Sequence, residues 1–179
     1  MQNQLDRLLA AYCSPTLAGI KPASLVSCDR NLYPDRAAFA PRDMRFEIVC
    51  ACCGRYLLLV YHKTQLEHRL ADERVQRVLE RFSYPVGQPL AEQLKMLKRR
   101  IALSDGFPHE IGLFLGYPIE DVVGFIRNQG RGCKLSGYWK VYGDAEAASR
   151  LFERLSRVCR AVTRRVEQGE TLLEVFAAA

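Results

Sequence analysis

Three side chains of this 179-residue sequence have the types needed for nucleophilic or acid–base chemistry: Cys13, His109 and Glu110. Cys13 precedes Ser14-Pro15, a pair that reads as the start of a new helical turn, with Ser14 as cap and Pro15 at the first position. The free N–H groups of a helix start favour an anion, so a thiol placed there is expected to ionise more easily and to act as nucleophile or redox thiol. His109 follows Pro108 in the first turn of another expected helix, where the helix dipole disfavours imidazolium and leaves a neutral ring fit to act as base. Glu110 beside it could orient the histidine or serve as a first-turn capping residue. A thiol and an imidazole are also ligands for haem, iron and other metals, so the same pair suits a metal carrier. The plain alternative for Cys13 is a small buried core residue.

Four further residues suit ligand binding. Lys21 could set positive charge beside a thiolate or an anionic ligand. In GYWKVY (137–142), read as a strand, alternation turns Trp139 and Val141 to the core and leaves Tyr138, Lys140 and Tyr142 as the polar face. The other histidines, His62 and His68, read as solvent-facing. Cys50, Cys52 and Cys53 invite a metal reading, but zinc sites pair such a cluster with a second one, and the sequence has none.

These residues need a scaffold. Residues 2–12 have helical spacing, with Leu5, Leu8, Leu9 and Tyr12 on one side and a stop at Ser14-Pro15. Residues 23–28 read as a strand and 29–43 as a loop. Met44, Phe46, Ile48 and Cys50 alternate with polar neighbours as in a half-buried strand. The run 56–61 is apolar throughout, and the turn at Cys53-Gly54-Arg55 makes a hairpin of the two. Helices follow over 63–82 (broken near 71–72), 89–101, 108–128 (two, joined at Gly116–Pro118) and from Asp144 onward. The expected class is α+β: an antiparallel sheet of three or four strands covered by helices, in a single domain over 1–179 whose end, 169–179, is loosely docked.

Composition sets outer limits. Apolar residues make up 49% and charged residues 26%, so a packed core is expected and disorder is not. No apolar run approaches the ~20 residues of a spanning helix, so no membrane partner is expected. The N-terminus lacks the pattern of a secretory signal, and seven cysteines, an odd number, point to reduced thiols in the cytoplasm. The net charge of +6 is spread along the chain. Lys95, Lys98, Arg99 and Arg100 form one basic cluster, and Arg150, Arg154, Arg157 and Arg164 a second. Both could hold nucleic acid, although such runs are more often a solvated helix face. The 108–128 block has helix-turn-helix spacing, but its second helix would present Ile119, Glu120, Val123 and Gly124 to a groove, and Glu120 and Asp121 repel phosphates. It reads as a packing unit.

Three segments, CSPTLAGIK (13–21), FPHEIGLFLGYPIEDV (107–122) and SGYWKVY (136–142), resemble a bacterial family of domains of unknown function, number 3793, frequent in anaerobes. The resemblance runs to about residue 165. It implies a cytosolic bacterial protein and supplies no activity. The sequence names no cofactor and no oligomeric state. The function read from the residues is binding or transformation of a small anionic ligand in a cleft of Cys13 and His109, the alternatives being a metal carrier, a nucleic-acid binder and an adaptor docking through its apolar tail.

Overall fold

A computed structural model gives the fold, and it describes residues 2–32, 34, 36–39, 42–103 and 107–177. It is α+β, and its contacts divide the chain into two compact units, residues 1–65 with 155–179, and residues 66–154. Among the described residues no helix is long and apolar enough to cross a membrane.

The first unit is built on a three-stranded antiparallel sheet. Its strands are β1 (Ala23–Asp29), β2 (Met44–Cys52) and β3 (Arg55–His62), in the order β1-β3-β2. β3 is central and reads as the continuous apolar run a central strand needs, with Leu58, Leu59 and Val60 fully buried. Helix α1 (Gln2–Leu17) lies on one face, and Leu5, Leu9, Ala10 and Cys13 join Val26, Phe46, Leu58 and Val60 in the core. A short helix, α2 (Arg36–Phe39), interrupts the stretch expected as loop, and Phe39 packs edge-on against Phe46.

Pro15 does not end α1. Proline fixes a helical φ and removes only one donor, and the Ser14 hydroxyl donates back to the Ala10 carbonyl at 2.5 Å instead of capping a new turn. The helix closes one turn later, where Ile20 N–H reaches Pro15 O at 2.8 Å and Gly19 takes φ +69°. Cys13 therefore sits in the last turns of a helix rather than before a helix start. Tyr12, expected inward, is 63% exposed.

β2 also departs from simple alternation. Ile48 pairs with Leu58, but Cys50 pairs with Leu57, which makes Val49 a β-bulge. Before the bulge, Phe46 and Ile48 face α1. After it, Ala51 shares the face of Tyr56, while Cys50 and Cys52 share the opposite face with Leu57 and Arg55. Cys50 thus leaves the face on which the sequence pattern put it.

The C-terminal part of this unit comprises the later turns of α8 (Ala145–Glu167) and α9 (Leu172–Ala177). Leu172, Val175 and Phe176 are buried in the same core as α1. The carboxylate of Asp6 accepts the Leu172 N–H at 3.2 Å, the Arg42 guanidinium donates to Phe176 O, and Arg165 pairs with Glu170.

The second unit is helical apart from a small hairpin. It holds most of α3 (Lys63–Ala71), then α4 (Glu73–Glu80), α5 (Leu90–Leu103), α6 (Ile111–Phe114) and α7 (Ile119–Asn128). Asp72 caps α4 by accepting Arg74 N–H at 2.8 Å. α6 and α7 turn at Gly116, φ +79°. Arg69 of α3 holds that turn by donating to the Tyr117 carbonyl at 2.7 Å. The segment expected as a six-residue strand is mostly irregular. Only β5 (Lys140–Val141) is strand, paired with β4 (Leu135–Ser136) in a separate two-stranded ribbon. Asp121 stops it from extending. Its buried carboxylate accepts Tyr142 N–H at 2.7 Å, Gly143 N–H at 2.8 Å and Trp139 Nε1–H at 2.7 Å, which diverts the backbone from ladder pairing.

Candidate functional site

The residues singled out from sequence fall into three surroundings. Cys13 lies in the first unit, fully buried. Burial pushes its thiol up to about 12, outweighing the positive charge of Lys21. The expectation of a thiol with lowered pKa is overturned, because the N–H groups that would have favoured a thiolate are already used inside α1. Lys21 feels the same surroundings in reverse: burial pushes its ammonium down to about 8, against the raising influence of Cys13 and Cys159. Lys21 is thus near Cys13, as the sequence suggested, but Cys13 is enclosed in the core while Lys21 is half-buried at its edge.

His109, Lys140 and Tyr142 gather around α7 in the second unit. The His109 ring meets Phe125 edge-on with centroids 4.7 Å apart, and Lys140 Nζ stands 5.9 Å from the centre of the same Phe125 ring. Lys140 Nζ also donates to Gly130 O at 2.8 Å. Tyr142 packs at Gly124, where any Cβ would stand 2.5 Å from its ring. Tyr138 is 40% exposed and leans on Phe152, while Trp139 stacks on Tyr117. His109 is exposed, in the turn before α6.

Glu110 does not orient a histidine. It precedes α6 without capping it by its side chain. At 2% exposure its carboxylate is held by the Arg100 guanidinium and by the Tyr84 hydroxyl, which donates at 3.2 Å. Burial and the adjacent Glu110 charge push the Tyr84 hydroxyl far up, so it remains a donor. Arg100 is fixed on three sides: by Glu110, by the Phe82 carbonyl at 3.5 Å and by the Phe82 ring 5.1 Å from its guanidinium carbon.

This network supports a groove that sequence reasoning found only in part. A concavity of about 350 Å³ is lined by Arg81, Phe82, Ser83, Met96, Arg99, Arg100 and Leu103. Met96, Arg99, Arg100 and Leu103 stand at i, i+3, i+4 and i+7, one stripe of α5. Arg81 closes α4, and Ser83, at φ +60°, turns the chain back so that Arg81 and Ser83 face that stripe. Arg81 and Arg99 are exposed and have no acidic partner among the described residues. The volume falls within the ~300–1,000 Å³ range of small-molecule sites. The basic run 95–100 was the visible signal. Arg81 could not be assigned to it from sequence, because the turn that joins them is a tertiary feature.

His62, read as solvent-facing, is only partly exposed: its Nδ1 lies 3.1 Å from Asp43 Oδ2. That carboxylate also accepts Thr64 N–H at 2.8 Å, which holds it below the usual carboxylate range and makes it a cap for α3. Among the described residues no group of three or more His, Cys, Asp or Glu is placed to hold a metal ion.

No curated protein and no solved structure matches the chain. The model of one family, described as a protein of unknown function (DUF3793), matches residues 9–176, and the chain belongs to that family.

Proposed function

We propose that this protein binds a small anionic ligand in the groove between the end of α4 and the Met96–Leu103 stripe of α5. The observation that carries the reading is that three arginines, two of them free of any acidic partner among the described residues, line one small concavity of mixed polar and apolar surface. Arg100 is held in place by Glu110 and Tyr84. Arg81 and Arg99 supply uncompensated charge, and guanidinium forks match phosphate and carboxylate oxygens. Phe82, Met96 and Leu103 offer apolar surface to the rest of a ligand. The ligand class is the one read from sequence, and the site is moved from the Cys13 and His109 surroundings to this groove. Within this reading Glu110 is a positioning residue and Cys13 belongs to the core. Seven free thiols support a reducing setting such as the cytoplasm.

Titration calorimetry with inorganic phosphate, pyrophosphate, a nucleoside monophosphate and citrate tests the reading. At least one is expected to bind with 1:1 stoichiometry. Arg81→Ala and Arg99→Ala should each weaken it about tenfold or more, the effect of losing one charged hydrogen bond of about 1.5–3 kcal/mol. A short RNA is the control arm. Binding of RNA that survives loss of both arginines, with no binding of the small anions, would overturn the assignment.

A further inference from the structure

We infer that the outward face at the end of the β2–β3 hairpin is a two-thiolate site for a soft, monovalent metal ion of the Cu(I) class, held between Cys50 and Cys52. Strict alternation along β2 would aim both thiols at the α1 core together with Phe46 and Ile48. The bulge at Val49 turns them to the other face, opposite Leu57 and Arg55. Bulges re-aim side chains in this way beside functional positions. Cys50 is half-buried, Cys52 is exposed, and both are free thiols.

Two residues apart on one strand face, their Cα atoms stand about 6.6 Å from each other. That is the long edge of what a disulfide spans, whereas an ion seated between the sulfurs fills the gap. Thiolates select soft ions. A pair of thiolate donors suits the linear coordination that a monovalent soft ion takes. Arg55, the cross-strand partner of Cys52, is drawn to β1 by Asp29 at 2.6 Å and by Ser27, which leaves the two thiols without a charged competitor between them. Cys53, at φ +50° in the turn, is the first residue beyond the strand and supplies no ligand in this arrangement. Binding forms two sulfur–copper bonds and releases two thiol protons, leaving a bis-thiolate with one negative charge. No electron is transferred.

The experiment is an anaerobic competition in which the whole protein withdraws Cu(I) from a bicinchoninate complex. The wild-type chain should take one equivalent. Cys50→Ser and Cys52→Ser should each abolish that uptake, while Cys53→Ser and Cys133→Ser should keep it. Copper-edge X-ray absorption of the loaded wild-type protein, which needs no variant to fold, should show two sulfur neighbours. Failure of the wild-type chain to compete, uptake undiminished in Cys50→Ser or Cys52→Ser, or coordination other than by two sulfurs would each overturn the inference.

Discussion

Replacing Arg100 by methionine should destabilise the fold more than replacing its partner Glu110 by glutamine, and the reason lies in their unequal burial. Glu110 is 2% exposed and the Arg100 side chain 28%. In Arg100→Met the carboxylate stays enclosed with the Tyr84 hydroxyl as its remaining donor among the described residues. Stranding one partner of a buried pair costs about 3–5 kcal/mol, and the lower end applies because Arg100 itself reaches solvent. In Glu110→Gln the amide oxygen still accepts from Tyr84, and Arg100 can turn toward the groove, so the cost should be about 1–2 kcal/mol. The double variant removes the stranded charge and should be more stable than Arg100→Met alone. Urea denaturation of the four proteins at neutral pH, arranged as a double-mutant cycle, measures all three quantities. A Glu110→Gln penalty equal to or larger than that of Arg100→Met, or a coupling energy near zero, would refute the view that the buried carboxylate is neutralised by Arg100.

Other consequences follow from the same geometry. Lys21 releases its proton near 8 in the folded chain against an ordinary value of 10.5, so the unfolded chain binds more protons across that window and stability should rise with pH there. Cys13 opposes this only above its own ordinary value of 9.0, so denaturation between pH 8 and 9 should show a steeper rise in the wild type than in Lys21→Met. In peptide-mapped alkylation under native conditions, exposed Cys52 and Cys53 should label quickly, and buried Cys13 and Cys28 only after unfolding. Gly124→Ala should cost about 1–3 kcal/mol in a thermal melt, since its methyl would meet the Tyr142 ring at 2.5 Å. Asp121→Ala should lower the melting temperature by several degrees, because the Trp139 indole and the Tyr142 and Gly143 amides lose their common acceptor.

The elements with strong periodicity were legible in the sequence. The hairpin of β2 and β3, the two short helices about Gly116 and the long α8 all follow from alternation, turn residues and apolar spacing. What was not legible depended on how one side chain resolves a local competition. Pro15 reads as a helix stop, but α1 runs on to Leu17, with the Ser14 hydroxyl turned back on Ala10 instead of capping a new turn. That single difference converts Cys13 from a residue before a helix start into a core residue. The Val49 bulge reverses the facing of Cys50, and no residue type announces it. The GYWKVY segment has a strand's composition, but the buried carboxylate of Asp121 takes the backbone N–H groups of Tyr142 and Gly143, which a longer ladder would use. Glu110 was noticed for its neighbour His109, whereas its partners Arg100 and Tyr84 come from other helices and loops. Arg99 and Arg100 were visible as a basic run; their conversion into a groove required the turn at Ser83, which brings Arg81 opposite.

Amide chemical-shift mapping during titration with pyrophosphate tests the anion-binding groove most directly. Saturable shifts should concentrate at residues 81–83 and 96–103 in the wild-type protein and be lost when Arg81 and Arg99 are both alanine. Saturable shifts centred on Lys21 and Cys13 or on His109 and Lys140, with residues 81–83 and 96–103 unmoved, would contradict it.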